Sequence, residues 1–401
     1  MNKGIDTSNL AANIWKLYLI KTSKWFMVFM PIIVLFFQSN GLDLRMTMTV
    51  NAIYSLSVAA FEIPSGYFSD RLGRKRSILL GTFFITLQFT AYSFAYSFGM
   101  FAFGAVLGGL GASFISGTDS AMLYDSLYAL DRTDDYIKWE GRSYAVGTFS
   151  EAVAAIIGGA LALNYGLRAP MYMQVGISFI GVFSALTLVE PPKVKEHTRS
   201  NWDQMKYILR YTFLEHKQLR FLLFLSTVFG IASLILAWFA QPYFDTHAIE
   251  KDQIGYLWAA LNVTVACFSL SAYRIATWFT PKQIIFSILI GFTVGYGYLG
   301  FYGNVLLIGG LIALFIMYAL RGLAAPTLLN LINQYAPSDM RATVLSIRGF
   351  SVRILYALFA PLLGWIADVY TIHEAFLAML LIIGLATAVA IGFYSLVLQK
   401  K

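Results

Sequence analysis

Hydrophobic positions in this chain come in long unbroken runs separated by short polar stretches, not in the stripes of a water-soluble fold. Runs of about twenty apolar residues match the ~30 Å hydrocarbon core of a bilayer crossed by an α-helix. They predict twelve spans, at about 15–38, 47–66, 77–97, 99–127, 138–163, 169–189, 219–243, 253–274, 282–302, 305–329, 341–368 and 374–398. The first is the least clean, because Lys16, Lys21 and Lys24 fall in its first half. The longest polar stretch, 191–217, opens on Pro191-Pro192 and carries Trp202 and Tyr207 along an expected amphipathic surface helix. It divides the spans six and six. The expected organisation is an N-terminal six-helix bundle (1–190), a cytoplasmic central loop (191–217) and a C-terminal six-helix bundle (218–401). The fold class is therefore an all-α membrane protein, with twelve transmembrane helices in two pseudo-symmetric six-helix bundles. A short internal repeat agrees with this seam. Ala154-Ala155-Ile156-Ile157-Gly158-Gly159 in span 5 is similar to Ala360-Pro361-Leu362-Leu363-Gly364-Trp365 in span 11.

Composition removes the soluble alternative. Of 401 residues, 58% are hydrophobic and 12% charged, where soluble domains carry roughly 25% charged residues. A net charge of +8 would suit nucleic acid, but the basic residues gather in alternate loops instead of along one face. One family of loops holds Arg71, Arg74, Lys75, Arg76, Arg132, Lys138, Lys193, Lys195, Arg199, Lys206, Arg210, Lys217, Arg274 and Lys282; the other holds only Arg45, Arg168 and Lys251. The positive-inside rule then predicts a multi-pass plasma (cytoplasmic or inner) membrane protein with both termini in the cytoplasm. Met1 to Ala12 is polar, and no cleavable signal peptide is evident. The single cysteine, Cys267, sits in an apolar run and is expected to be a small buried hydrophobe. There is no Gly-Lys dipeptide for a phosphate-binding loop, no G-x-S-x-G elbow, no H-E-x-x-H and no Cys/His cluster. Neither an enzyme nor an ATP-driven pump is expected, and no cofactor or metal.

The loop after span 2 reads Gly66-Tyr67-Phe68-Ser69-Asp70-Arg71-Leu72-Gly73-Arg74-Lys75-Arg76. It resembles the signature loop of the major facilitator superfamily, G-x-x-x-D-x-x-G-R-[KR]-[KR], and lies where that family has it. The chemistry of each position can be stated. Gly66 lets two helix ends approach closely, Gly73 permits a tight reversal, and Asp70 suits the positive N-terminal end of a neighbouring helix. The arginines can pair with carboxylates, among them Asp125 at the cytoplasmic end of span 4. The resemblance implies that Gly66, Asp70, Gly73, Arg74 and Asp125 form a conformational latch; the plainer alternative is that the arginines only fix topology. The corresponding loop of the second half, Ala272–Lys282, has no acid or glycine at the matching places, so a one-sided latch is expected. A further family motif, G-x-x-x-G-P-x-x-G-G in span 5 of proton-coupled exporters, survives only as Gly158-Gly159. That departure weakens an antiporter reading and leaves a close-packing helix face.

Ionisable residues within spans are costly and mark function. The first half has Lys21, Lys24, Glu62, Asp119 and Glu151; the second has Arg321, Arg348 and Arg353. The resemblance implies that spans 1, 4, 7 and 10 line a central cavity. Lys21, Lys24, Arg321 and Arg353, with the aromatic Tyr318 and Trp238, are the candidate substrate contacts. Arg321 lies about mid-span, where a guanidinium stays charged and can hold a carboxylate through two parallel hydrogen bonds. The alternative is a buried structural pair with a first-half acid. Asp119 shares a helical face with Ser116, Ala112 and Gly108, and Glu151 shares one with Gly147 and Ala155. These deep carboxylates are the candidate proton carriers, because all four histidines fall in loops or at helix ends. The expected function is a monomeric secondary transporter of a small organic, anionic or zwitterionic solute, coupled to protons and working by alternating access. An exporter of amphipathic cations and a non-transporting receptor or scaffold are the alternatives.

Overall fold

The computed structural model describes residues 7–192, 202–337 and 340–397, and among them there are fifteen α-helices and no strand. In chain order these are α1 (Thr7–Trp25), α2 (Ile33–Ser39), α3 (Leu44–Leu72), α4 (Arg74–Ser93), α5 (Phe98–Ile115), α6 (Thr118–Ala129), α7 (Tyr136–Tyr165) and α8 (Ala169–Thr187). After the short α9 (Trp202–Arg210) come α10 (Lys217–Thr246), α11 (Lys251–Trp278), α12 (Pro281–Phe301), α13 (Leu307–Tyr335), α14 (Arg341–Val369) and α15 (Ile372–Val397). The pairs α1/α2 and α5/α6 are each one interrupted crossing and α9 belongs to the central loop, which leaves the twelve crossings that the hydrophobic runs predict. Ten of them are long and apolar enough to span a bilayer over their described residues, and α7 contributes the shorter apolar stretch Phe149–Tyr165. α4 is more polar, yet several of its hydroxyls are satisfied within the helix, and Ser77 donates to the Phe114 carbonyl of α5 at 2.9 Å. Thr86, Thr90 and Ser93 donate to the carbonyls of Thr82, Thr86 and Phe89 at 3.0, 2.8 and 2.8 Å.

Helix ends follow local chemistry. The Asp43 side chain accepts from the Met46 N–H at the start of α3, and Thr280 and Gln283 form a reciprocal capping box at the start of α12. The first crossing breaks between Trp25 and Ile33, where Pro31 sits in a single 3-10 turn. An open backbone in a membrane must find partners. Here the Val28 N–H donates to the buried Gln174 side chain of α8 at 3.1 Å. The fourth crossing breaks at Gly117, whose φ of 73° ends one helix and starts the next.

The chain forms two compact units, Met1–Glu196 with Ile249–Ala259, and His197–Ala248 with Ala260–Lys401. The start of α11 thus packs with the first unit, which the boundaries 1–190, 191–217 and 218–401 do not foresee. The reason is two facing glycines. A Cβ on Gly255 would lie 2.7 Å from the Ala155 carbonyl and 3.0 Å from Gly159 Cα, so the backbones of α11 and α7 touch. A Cβ on Gly158 would in turn meet the Val28 carbonyl at 1.8 Å.

In the second unit α9 docks through Ile208, which is buried with Leu219, Leu331, Ile332, Met340 and Val344, while Tyr207 stays outside. Lys193, Lys195, His197 and Arg199 of the central loop lie outside the described residues. Cys267 differs from expectation. It is exposed on α11, not buried, as an apolar run in a lipid-facing helix permits.

Candidate functional site and signature loop

The signature loop becomes a tight helix–turn–helix. Gly73 closes α3 and opens α4 with φ at 104°. The first N–H groups of a helix need acceptors from outside it. Glu190, just past α8, supplies both of its oxygens: Oε1 accepts from the Arg74 N–H at 2.7 Å and Oε2 from the Lys75 N–H at 2.8 Å. The Arg74 side chain then turns to α6, where Nε donates to Asp125 Oδ2 in an ion pair. One residue therefore joins α4, α6 and the end of α8. Asp70 is exposed at the end of α3. The expectation for Gly66 is overturned: a Cβ there would meet nothing within 4 Å, so this glycine mediates no close helix approach in the structure.

Gly73 is the sensitive position. A Cβ would fall 2.9 Å from the Glu190 carboxyl, on a backbone conformation that side chains disfavour. Gly73→Ala is expected to lower the unfolding free energy by about 1–3 kcal/mol, whereas Gly66→Ala, inside α3 with open space for the added Cβ, should raise it by about 0.5–1 kcal/mol. Thermal unfolding of the purified variants checks both, and equal melting temperatures would show that the Glu190 cap is unimportant.

Deeper in the first unit the predicted Lys21 finds a partner that was not foreseen. Its ammonium lies 2.9 Å from Glu140 Oε1, with side chains 15% and 33% exposed, so the pair is partly withdrawn from water. The same oxygen accepts from the Ser120 hydroxyl at 3.1 Å. Three crossings, α1, α6 and α7, meet at this carboxylate. Asp119 sits beside it in sequence but turns back on its own helix, where Oδ1 accepts from the Ser120 N–H at 2.9 Å. Its expected face with Ser116, Ala112 and Gly108 does not form, because the break at Gly117 puts those residues on another helix. Glu151 and Lys24 are half-buried. A Cβ on Gly147 would meet the Trp25 ring at 3.2 Å, so α7 packs closely on α1 one turn from Glu151.

Alongside Glu140 runs an open groove between α1 and α7, lined by Trp15, Tyr18, Thr22, Trp139, Arg142 and Val146. Its three rings form a cluster with centroids 5.6, 5.8 and 5.9 Å apart. The Arg142 guanidinium lies 5.5 Å over Trp139.

In the second unit Arg321 is half-buried near the middle of α13, 5.5 Å above the ring of Tyr318. Among the described residues it forms no ion pair. Close packing fixes its height, since a Cβ on the adjacent Gly322 would lie 2.4 Å from the Val265 carbonyl of α11. Tyr318 is fully buried and so supports Arg321 from beneath instead of presenting a face to a solute, as the sequence reading expects. Arg348 Nε donates to Ser226 Oγ, which joins α14 to α10. Arg353 and Trp238 are half-buried.

Two helical units with charges held inside their crossings, and an arginine–carboxylate pair tying helices at one end, define a membrane transporter. The chain belongs to the Major Facilitator Superfamily, which residues 23–355 match. It is 23% identical to an uncharacterized MFS-type transporter of Methanocaldococcus jannaschii over 266 residues, 65% of this chain and 67% of that protein. It is 26% identical to Multidrug resistance protein 2 of Bacillus subtilis over 184 residues, 43% of each. The fold resembles that of a variant of the nucleoside transporter NupG, with a TM-score of 0.80 at 10% identity over 97% of this chain and 99% of that one. It also resembles a D-xylose–proton symporter, with a TM-score of 0.73 at 15% identity over 95% and 96%.

Proposed function

We propose that this chain is a proton-coupled secondary transporter of a small organic anion or zwitterion, lying in the plasma membrane with both termini in the cytoplasm. The carrying observation is Arg321. A half-buried guanidinium with no ion pair among the described residues is costly within a membrane crossing, and an anionic solute would complete it. The coupling carboxylate best supported by geometry is Glu140. It pairs with Lys21 and accepts from Ser120, and loss of its charge would break the ion pair. Asp119 and Glu151 remain the other deep carboxylates open to this role. Arg353, Lys24 and Trp238 are secondary candidates for solute contact.

The test uses proteoliposomes loaded with a pH-sensitive dye and challenged with a panel of small carboxylates, amino acids and ethidium. A carboxylate or amino acid that drives proton movement supports the reading. Glu140→Gln should then cut proton-linked flux at least about tenfold, the size of effect expected for losing a positioned proton carrier. Solute exchange at equal pH should continue. Proton movement with ethidium alone would favour the second reading, export of amphipathic cations. That reading has the aromatic groove of Trp15, Tyr18 and Trp139 in its favour, together with the similarity to a multidrug resistance protein.

A further inference from the structure

A cleft at one end of the second unit belongs to neither the signature loop nor the candidate functional site. It holds roughly 670 Å³ of space, counting its mouth, between the first turns of α10 and α12 and the last turns of α13 and α15. Phe221, Ile285, Phe286 and Leu331 form its apolar walls, with Ala390 behind them. Gln218, Lys282 and Tyr335 are its polar lining residues, and no lining residue is acidic. Lys282 is exposed. Two helices begin at this mouth and direct the positive ends of their dipoles toward it. Lys217 and Arg220, both exposed, add charge nearby. By the positive-inside rule this end faces the cytoplasm, where the leaflet is rich in anionic lipid.

An apolar slot with basic and amide groups in its lining, at the ends of four membrane crossings, has the two-part chemistry of a phospholipid. We infer that this cleft binds one anionic phospholipid, with an acyl chain between Phe221, Ile285 and Phe286 and the phosphate at Lys282 and Gln218. The charge of the lining selects the headgroup and the walls select the chain. The site is separate from Arg321 and Glu140, so bound lipid would act on the stability of the second unit and not on solute recognition.

The full chain is placed in nanodiscs of phosphatidylcholine alone or of phosphatidylcholine with phosphatidylglycerol. Its thermal unfolding is followed, and retained lipid is counted by native mass spectrometry. Phosphatidylglycerol should raise the melting temperature by several degrees and leave one lipid per chain. Lys282→Gln should remove most of that rise, and so should Ile285→Trp, which fills the slot; each variant should melt like the parent in phosphatidylcholine alone. Lys251→Gln, at the start of α11 and outside the cleft, should keep the full rise. Glycerol phosphate, the headgroup without chains, should have no effect. Equal melting in the two nanodiscs would overturn the proposal. So would a rise reproduced by glycerol phosphate, or one that survives both substitutions in the cleft.

Discussion

Arg168→Ala is expected to destabilise the protein by about 3 kcal/mol. Its guanidinium sits where α8 begins and gathers three segments of the first unit. One terminal nitrogen donates to the Ser93 carbonyl at 2.7 Å and to the Ala95 carbonyl at 3.2 Å. The other donates to Ala95 at 3.1 Å and to the Asn40 side chain. The plane lies 4.1 Å from the Tyr96 ring centroid and 5.2 Å from that of Phe36. Hydrogen bonds to a charged group are worth roughly 1.5–3 kcal/mol each, and the site is half-open, so water recovers part of the loss. Arg168→Lys should fall between, because an ammonium cannot reach both carbonyls and the asparagine in one plane. Thermal unfolding in detergent measures this. An alanine variant that melts with the parent would mean that these contacts are replaced by water at no cost.

Arg321→Gln is expected to weaken binding of the transported anion by about thirtyfold, or ~2 kcal/mol, the worth of a charge-assisted hydrogen bond. Arg321→Lys should recover part of the affinity, since it restores charge without the planar fork. Binding is read by scintillation proximity or calorimetry with the solute that the liposome screen identifies. The same preparations should keep their melting temperature within a few degrees, because Arg321 forms no ion pair among the described residues. A glutamine variant with native affinity would rule out the anion-binding role.

The hydrophobic runs made the crossings legible, and the signature loop made the family legible. The Arg74–Asp125 pair was also readable, because both partners belong to a pattern tied to known places on their helices. What escaped the sequence depends on breaks and on distant partners. The apolar run through spans 1 and 4 is continuous, but the backbone is not. Pro31 and Gly117 divide rods that hydropathy joins, and the second break dissolves the face assigned to Asp119. Glu140, near the start of span 5, is absent from the candidates, since nothing in its own stretch shows that Lys21, 119 residues earlier, lies opposite. Glu190 was hidden in the same way beside Pro191-Pro192, where it looks like the polar end of a span. A carboxylate at a span end can be a solvated charge or a helix cap. Only the three-dimensional neighbour distinguishes the two.

The interruption at Gly117 has a mechanical consequence. Above it, α5 is clamped: Cβ atoms added at Gly109 and Gly111 would lie 2.4 Å from Ser57 and 2.7 Å from the Gly81 carbonyl, so this arm has no room to tilt. Below it, α6 is a rigid lever of twelve residues, about 18 Å long at 1.5 Å per residue. Ser120 rides near its pivot and Asp125 midway along it. A swing of the lever about Gly117 would move Asp125 further than Ser120, in fixed proportion. Release of Glu140 near the fulcrum would therefore reach Arg74 as an amplified displacement, with no contact between the two ion pairs needed to carry it.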